Sequence, residues 1–188
     1  AVVPEIDCYR FAKYAAGAGT TVTGSLSNSD DIPTLISTAQ AAMDDKEVPY
    51  EGRILFVNPT IYGYLKNDIT RYVDNEATDI NRTVEMYDNM RVIRVPSGRF
   101  NTVCTLAQPT DASSTGGYTA AGVDINFMIV HPSAVLQVIK HQIPRVFSPE
   151  VNQDADAWKL NYRVYHDCWV LANKTYGIYV HKKANASS

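Results

Sequence analysis

The sequence predicts an α+β fold. Two helix-period apolar stripes open the chain, short apolar runs of strand length follow, and the two kinds of segment interleave irregularly with no internal repeat. A length of 188 residues suits one domain or two small intimate ones, large enough to bury about 70% of the surface its unfolded form exposes.

The first helix is expected from Pro4, a first-turn residue, with Glu5 and Asp7 where the helix dipole favours acid. Cys8, Phe11, Ala12 and Ala15 recur at i, i+3, i+4 and i+7, and Gly17 and Gly19 end the pattern. After a Thr/Ser/Gly segment over 20–29, Asp30 or Asp31 can cap a second helix, with Pro33 near its start. Its buried stripe is Ile32, Leu35, Ile36, Ala39, Ala42 and Met43, and Val48-Pro49 stops it.

The run Arg53-Ile54-Leu55-Phe56-Val57-Asn58 has the composition of a buried strand. Asn58-Pro59 then supplies cap and first turn of a third helix reaching about Asn67. Residues 68–89 are polar and carry no clear period, whereas Met90 to Val95 reads as a strand. Arg91 and Arg94 have opposite parity on it and make no single basic face. Pro96 to Gly122 is rich in Gly, Ser, Thr and Pro, with a short strand at 103–106 and a surface loop at 111–117.

Asp124 to Val130 is an apolar strand closed by His131-Pro132, followed by a short helix or turn over 133–137 and a return strand over 138–147. Six of the nineteen aromatic residues then lie between Trp158 and Tyr179. Trp158, Leu160, Tyr162 and Val164 share one strand parity and Tyr165, Trp169 and Leu171 the other, which one strand with a bulge near Val164-Tyr165 accommodates. The spacing 158, 162, 165, 169 also fits a helix, so period alone leaves both open. This block is expected to be core, because no Arg/Lys stripe makes it a base-stacking platform. Asn173-Lys174 turns the chain into a last strand over 175–181, and a disordered tail is expected at 184–188.

Seventeen basic against twenty acidic residues give a net charge of −3, far from a dedicated nucleic-acid binder. Residues 1–63 carry 4 basic and 8 acidic groups and residues 126–188 carry 7 and 4, a gradient able to steer head-to-tail contacts between copies. No run approaches the ~20 apolar residues that span a bilayer, so no membrane partner is expected. Cys8, Cys104 and Cys168 are odd in number and widely spaced, as expected of reduced thiols in a cytosolic compartment, with the sequons at Asn81, Asn173 and Asn185 chance matches. The opening Ala1-Val2-Val3-Pro4-Glu5 is not a secretory signal and is expected to be the interior of a longer product.

Reactive chemistry is thin. His166-Asp167-Cys168 places a thiol and an imidazole on one strand face, but a nucleophile needs its base within hydrogen-bond reach, aligned by a third group. His131, His141, His166 and His181 have no metal-ligand spacing. Asp30-Asp31 reads as a helix cap, Asp44-Asp45 as a solvated helix end, and Asp154/Asp156 as loop residues. Gly116-Gly117 lacks a following Lys-Ser/Thr. No catalytic, cofactor-binding or metal-binding residue is assigned, no cofactor is expected, and a structural protein is favoured over an enzyme.

The order of segments resembles the major capsid (major head) proteins of tailed bacteriophages and prophages with the HK97-like fold. Pro4-Glu5-Ile6-Asp7-Cys8-Tyr9-Arg10-Phe11 is similar to the end of the spine helix of that family. Ile32 to Met43 followed by Arg53-Ile54-Leu55-Phe56-Val57-Asn58-Pro59-Thr60 resembles the helix–strand–Asn-Pro–helix unit of its A-domain. Met90-Arg91-Val92-Ile93-Arg94-Val95-Pro96 and Phe127-Met128-Ile129-Val130-His131-Pro132-Ser133-Ala134 are similar to its next strands. Asn161-Tyr162-Arg163-Val164-Tyr165-His166-Asp167-Cys168-Trp169-Val170, with Asn173-Lys174 and Gly177-Ile178-Tyr179-Val180-His181, resembles the closing P-domain strands.

The resemblance implies an α+β HK97-like capsid fold with a spine helix, a P-domain sheet and an A-domain. It implies spine-helix end and P-domain start over 1–29, A-domain over 30–147, P-domain closing strands over 148–183 and a tail over 184–188. The implied function is a subunit of an icosahedral shell that self-assembles around double-stranded DNA without sequence-specific contact. Implied partners are further copies in pentamers and hexamers, with scaffold and portal proteins. The implied location is the virion capsid, with assembly in the host bacterial cytoplasm. The N-terminal arm and E-loop of the family precede the residues matched here, and no E-loop lysine for covalent cross-linking is carried over. Two alternatives are an encapsulin-type compartment shell and a small enzyme using Cys168 and a histidine.

Overall fold

The strand residues Leu55, Phe56 and Val57 divide between two cores: Leu55 and Val57 enter one cluster of buried side chains and Phe56 packs on the other. Such a strand is covered on both faces, so its sequence is continuously apolar. The computed structural model describes residues 2–26, 31–70, 84–108, 116–152 and 154–184. Within these, chain order gives α1 (Val2–Gly17), β1 (Thr20–Thr23), α2 (Asp31–Asp44), β2 (Ile54–Val57), α3 (Pro59–Thr70), β3 (Met86–Tyr87), β4 (Met90–Arg94), β5 (Asn101–Ala107), β6 (Gly117–Val130), β7 (Val135–Phe147), β8 (Lys159–Val170) and β9 (Ile178–Lys182).

The main sheet runs β1-β9-β6-β2-β4-β3, with β5 paired to the early half of β6. The ladders β1–β9 and β2–β4 are parallel, and β2–β6 and β6–β9 antiparallel. Alternation along the central strands sends Phe127, Ile129 and Tyr179 into the core that holds Ile32, Ile36, Ile61 and Leu65 of α2 and α3. Met128, Val130, Ile178 and Val180 enter the opposite core, with Phe11 and Tyr14 of α1. The sheet is thus clamped between α2/α3 and α1. Phe11 centres the α1 side, edge-on to Phe56 at 5.2 Å and to Phe100 at 5.0 Å.

The α+β class and the capsid-type architecture expected from the sequence are observed, with α2, β2 and β4 within a residue of expectation. Asn58 caps α3, its Oδ1 accepting from the Ile61 N–H at 2.8 Å, though α3 continues to Thr70 rather than Asn67. No helix of the described residues is long and apolar enough to cross a membrane.

Several expectations need correction. On α1 the third fully buried residue is Tyr14, and Ala12 and Ala15 are half-buried. The segment after α1 contains β1, which completes the parallel edge of the sheet. The Gly/Thr/Ala-rich stretch before Gly122 is the first half of β6, paired to a β5 longer than expected. Only the Pro132–Ala134 turn precedes β7, which begins at Val135. A 3₁₀ turn at Thr175–Gly177 leaves β9 to start at Ile178. β8 is one strand, as the strand alternative had it, but the bulge lies on its partner, where Lys140 is extra between Ile139↔His166 and His141↔Tyr165. The expectations on Asp30, on the sequons at Asn81 and Asn185, on 111–115 and on the tail 185–188 lie outside the described residues.

The largest correction concerns the aromatic block. β7 and β8 pair only with each other among the described strands, and their side chains are mostly exposed. Trp158 is 72% exposed, Tyr165 54% and Trp169 48%. Only Tyr179 of the six aromatics is buried core.

Candidate functional site

The one sequence triplet with chemical potential is His166-Asp167-Cys168, at the root of the β7–β8 hairpin where α1 crosses it. Directly opposed residues on an antiparallel ladder share a face, and the pairs Gln137↔Cys168 and Ile139↔His166 put thiol and imidazole on the α1 side as expected. Cys168 is 1% exposed, within the α1 core. Burial pushes its thiol up, and the charge of Asp167 pushes it further. An activated thiol needs the opposite, a depressed pKa in a partly open electropositive setting.

Asp167 is engaged elsewhere: its Oδ1 accepts from the Cys168 backbone N–H at 2.8 Å and from the Tyr9 hydroxyl at 2.9 Å. Those two donors, the backbone one first, hold its carboxyl below the usual carboxylate range. Burial and the Asp167 bond push the Tyr9 phenol up to about 12. The His166 ring lies edge-on to Tyr9 at 5.6 Å, and its buried Nδ1 has no hydrogen-bond partner among the described residues. With α1, the triplet forms a helix-to-hairpin joint: Tyr14 accepts from Gln137, and Gly17 packs against Val170.

The remaining candidates are dispersed. Asp44 pairs with Arg53 at 2.5 Å, which corrects its reading as a merely solvated helix end. The Arg53 side chain is fully buried and also donates to the carbonyls of Val48 and Pro49. Asp154 pairs with Lys159. His131 accepts from Ser133 N at 3.2 Å, and its Nε2 lies 3.1 Å from the Glu51 carbonyl. His181 is buried, stacked on Phe127 at 5.0 Å, with Nδ1 accepting from Asn126 Nδ2 at 3.1 Å. Asn126 also donates to the Gly24 carbonyl, which fastens the exit of β1 to the sheet. Burial lowers the His181 pKa. Among the described residues no three His, Cys, Asp or Glu side chains gather as a metal site.

What the hairpin offers instead is surface. Its strands are 13 and 12 residues long, a blade about 40 Å from root to tip at about 3.3 Å per residue. α1 covers one face at the root only. Toward the tip the same face carries Tyr162, Leu160 and Val146, the last two 69% and 63% exposed. The opposite face is apolar at the root, where Leu136 opposes Trp169, and basic toward the tip, where Arg145, Lys159 and Arg163 point the same way. Single exposed apolar residues are ordinary; a contiguous run on a projecting two-stranded blade marks a contact surface. Sequence reasoning missed it because apolar residues on both parities of β8 read equally well as a strand buried on both faces.

No protein-family model and no curated protein matches the sequence. Solved structures do. A chain of Mycobacterium phage Che8 aligns with a TM-score of 0.63 and 18% identity, over 96% of this chain and 58% of that one. The capsid structure of cyanophage P-SCSP1u aligns at 0.67 and 15%, over 98% and 63%. The mature capsid of bacteriophage PhiM1 aligns at 0.61 and 14%, over 98% and 62%. This chain therefore spans less than two thirds of each of these structures, and the fold of its described residues is that of phage capsid chains.

Proposed function

We infer, from a chain whose fold is that of phage capsid proteins, that its role is structural: it is the greater part of a subunit that self-assembles into an icosahedral phage or prophage shell. The observation that carries this reading is the alignment of 96–98% of the chain with phage capsid structures. The hairpin supports it, because an exposed apolar blade suits a subunit whose surface is meant to be covered. A shell multiplies modest contacts over many copies, so each interface can be weak while the container is stable. The chemistry of the hairpin root agrees: the thiol is buried and raised, and the carboxylate is occupied by structural donors.

In this reading 1–29 and 148–183 belong to the peripheral domain and 30–147 to the axial domain around the ring centres, except that β7 goes with its only ladder partner, β8. Pentamers and hexamers of the full-length subunit enclose double-stranded DNA without reading its sequence, after assembly in the bacterial cytoplasm with scaffold and portal proteins. The net charge of −3 suits a wall that does not grip packaged phosphates. Electron microscopy of the complete gene product after expression tests the reading: closed shells are expected, and a dispersed product under assembly conditions would overturn it.

A further inference from the structure

The two faces of the β7–β8 blade are complementary when one blade is slid half its length along another. From root to tip, the front face reads α1-covered, then apolar, then acidic, the last from Glu150 and Asp156 at the exposed turn. The back face reads apolar, from Leu136, Val138 and Trp169, then basic, from Arg145 and Arg163. With two blades parallel and staggered, the apolar tip half of one front meets the apolar root half of the other back. The acidic turn then reaches the basic stretch.

We propose that this staggered front-to-back stacking is a contact between two copies of the chain. It rests on the shell reading for the choice of a second copy as partner, and on the blade itself for the geometry. The pairing joins two different patches, so it is heterologous: each copy keeps a free front or back for the next, as a ring requires. A two-stranded blade is marginal alone in water, and covering Trp158, Leu160 and Val146 on one side and Trp169 and Leu136 on the other stabilises it. The opposed charges set the stagger and reject the unstaggered register, in which like faces meet like.

Sedimentation velocity on the 188-residue chain at low salt tests this directly. The wild-type chain is expected to self-associate, more weakly as salt rises. Trp158→Ser with Leu160→Ser (front) and Leu136→Ser with Trp169→Ser (back) should each weaken association at least tenfold. These residues are exposed, so far-UV circular dichroism and Tm should stay near wild type. The deciding arm mixes charge variants. Glu150→Lys/Asp156→Lys and Arg145→Glu/Arg163→Glu should each associate poorly alone but bind each other, because the reversed front of one then faces the reversed back of the other. A wild-type chain monomeric up to about 1 mM, folded variants that associate like wild type, or a mixture no tighter than its components would each overturn the proposal. Shells from the complete gene product carrying the front and back substitutions, as abundant as wild-type shells, would overturn it while leaving the shell reading intact. Absence of shells from the wild-type gene product, with chain association as described here, would overturn the shell reading alone.

Discussion

The hydroxyl of Tyr9 donates to Oδ1 of Asp167 at 2.9 Å across 158 positions of sequence. It joins the first helix to the root of the blade, and the same carboxylate oxygen also takes the Cys168 N–H. Removing the hydroxyl leaves one donor in place. Tyr9→Phe should lower Tm by about 2–4 °C without unfolding the chain, measured by calorimetry. The Asp167 pKa, followed by NMR, should rise in the variant yet stay under the ordinary carboxylate value. A carboxyl with a depressed folded pKa contributes stability above its unfolded pKa and loses it as pH falls through the folded one, so the variant should be less acid-sensitive than wild type below about pH 4. An unchanged Asp167 titration would contradict the joint.

His181 makes a second pH signature with a different window. Burial favours its neutral form, and Asn126 donates to its Nδ1. The unfolded chain takes up a proton near pH 6.5 while the folded chain does so only lower. Its penalty is therefore absent above that pH, grows as pH falls, and levels off below the folded pKa. Urea midpoints between pH 5 and 8 should fall toward acid for the wild type. His181→Gln, which keeps an acceptor and cannot titrate, should flatten that slope at some cost from the lost stacking on Phe127. A slope equal in both proteins would contradict the assignment.

Two glycines separate close approach from backbone conformation. A Cβ on Gly19 would sit 2.6 Å from the Tyr176 backbone nitrogen and 2.9 Å from the Thr175 carbonyl oxygen, where Gly19 N–H donates to that oxygen. Gly52 has φ +80° with open space around it. Gly19→Ala should cost roughly 2–4 kcal/mol and Gly52→Ala about 1 kcal/mol, read from urea unfolding. The reverse order would mean that the β1–β9 corner is looser than described.

Thiol reactivity tests the absence of nucleophilic chemistry. Burial, with Cys104 alongside, pushes the Cys8 thiol up to about 12, and Cys168 is raised by burial. Cys104 is the half-buried thiol of the three. Against an aromatic disulfide reagent, Cys104 should react first in the native protein and Cys8 and Cys168 only on unfolding. Rapid native modification of Cys168 would restore the enzyme alternative.

The legible parts of the fold are those where one local signal decides. Asn58-Pro59 announces a helix start because the amide side chain satisfies an N–H that the helix cannot. Ile54 to Val57 announces a strand because both its faces are covered. β6 was half legible: residues 125–130 are buried without interruption, but 117–123 pair with β5 at the surface, where Gly, Thr and Ala are tolerated and leave no apolar period. The blade was legible as strand and illegible as surface. Trp158, Tyr162 and Trp169 fill a core or a contact between copies equally well, and one chain's sequence does not say which. Arg53 was missed for a related reason, since its burial depends on Asp44 and the Val48 and Pro49 carbonyls folding around it.

Particle imaging is the most direct measurement of the account's central claim. Expressed as the complete gene product, the protein should yield closed icosahedral particles in which density for residues 2–184 fits the fold described here, with the β7–β8 blade buried against neighbouring subunits. Monodisperse, unassembled protein under conditions that assemble related capsids, or particles in which the blade stands free in solvent, would contradict it.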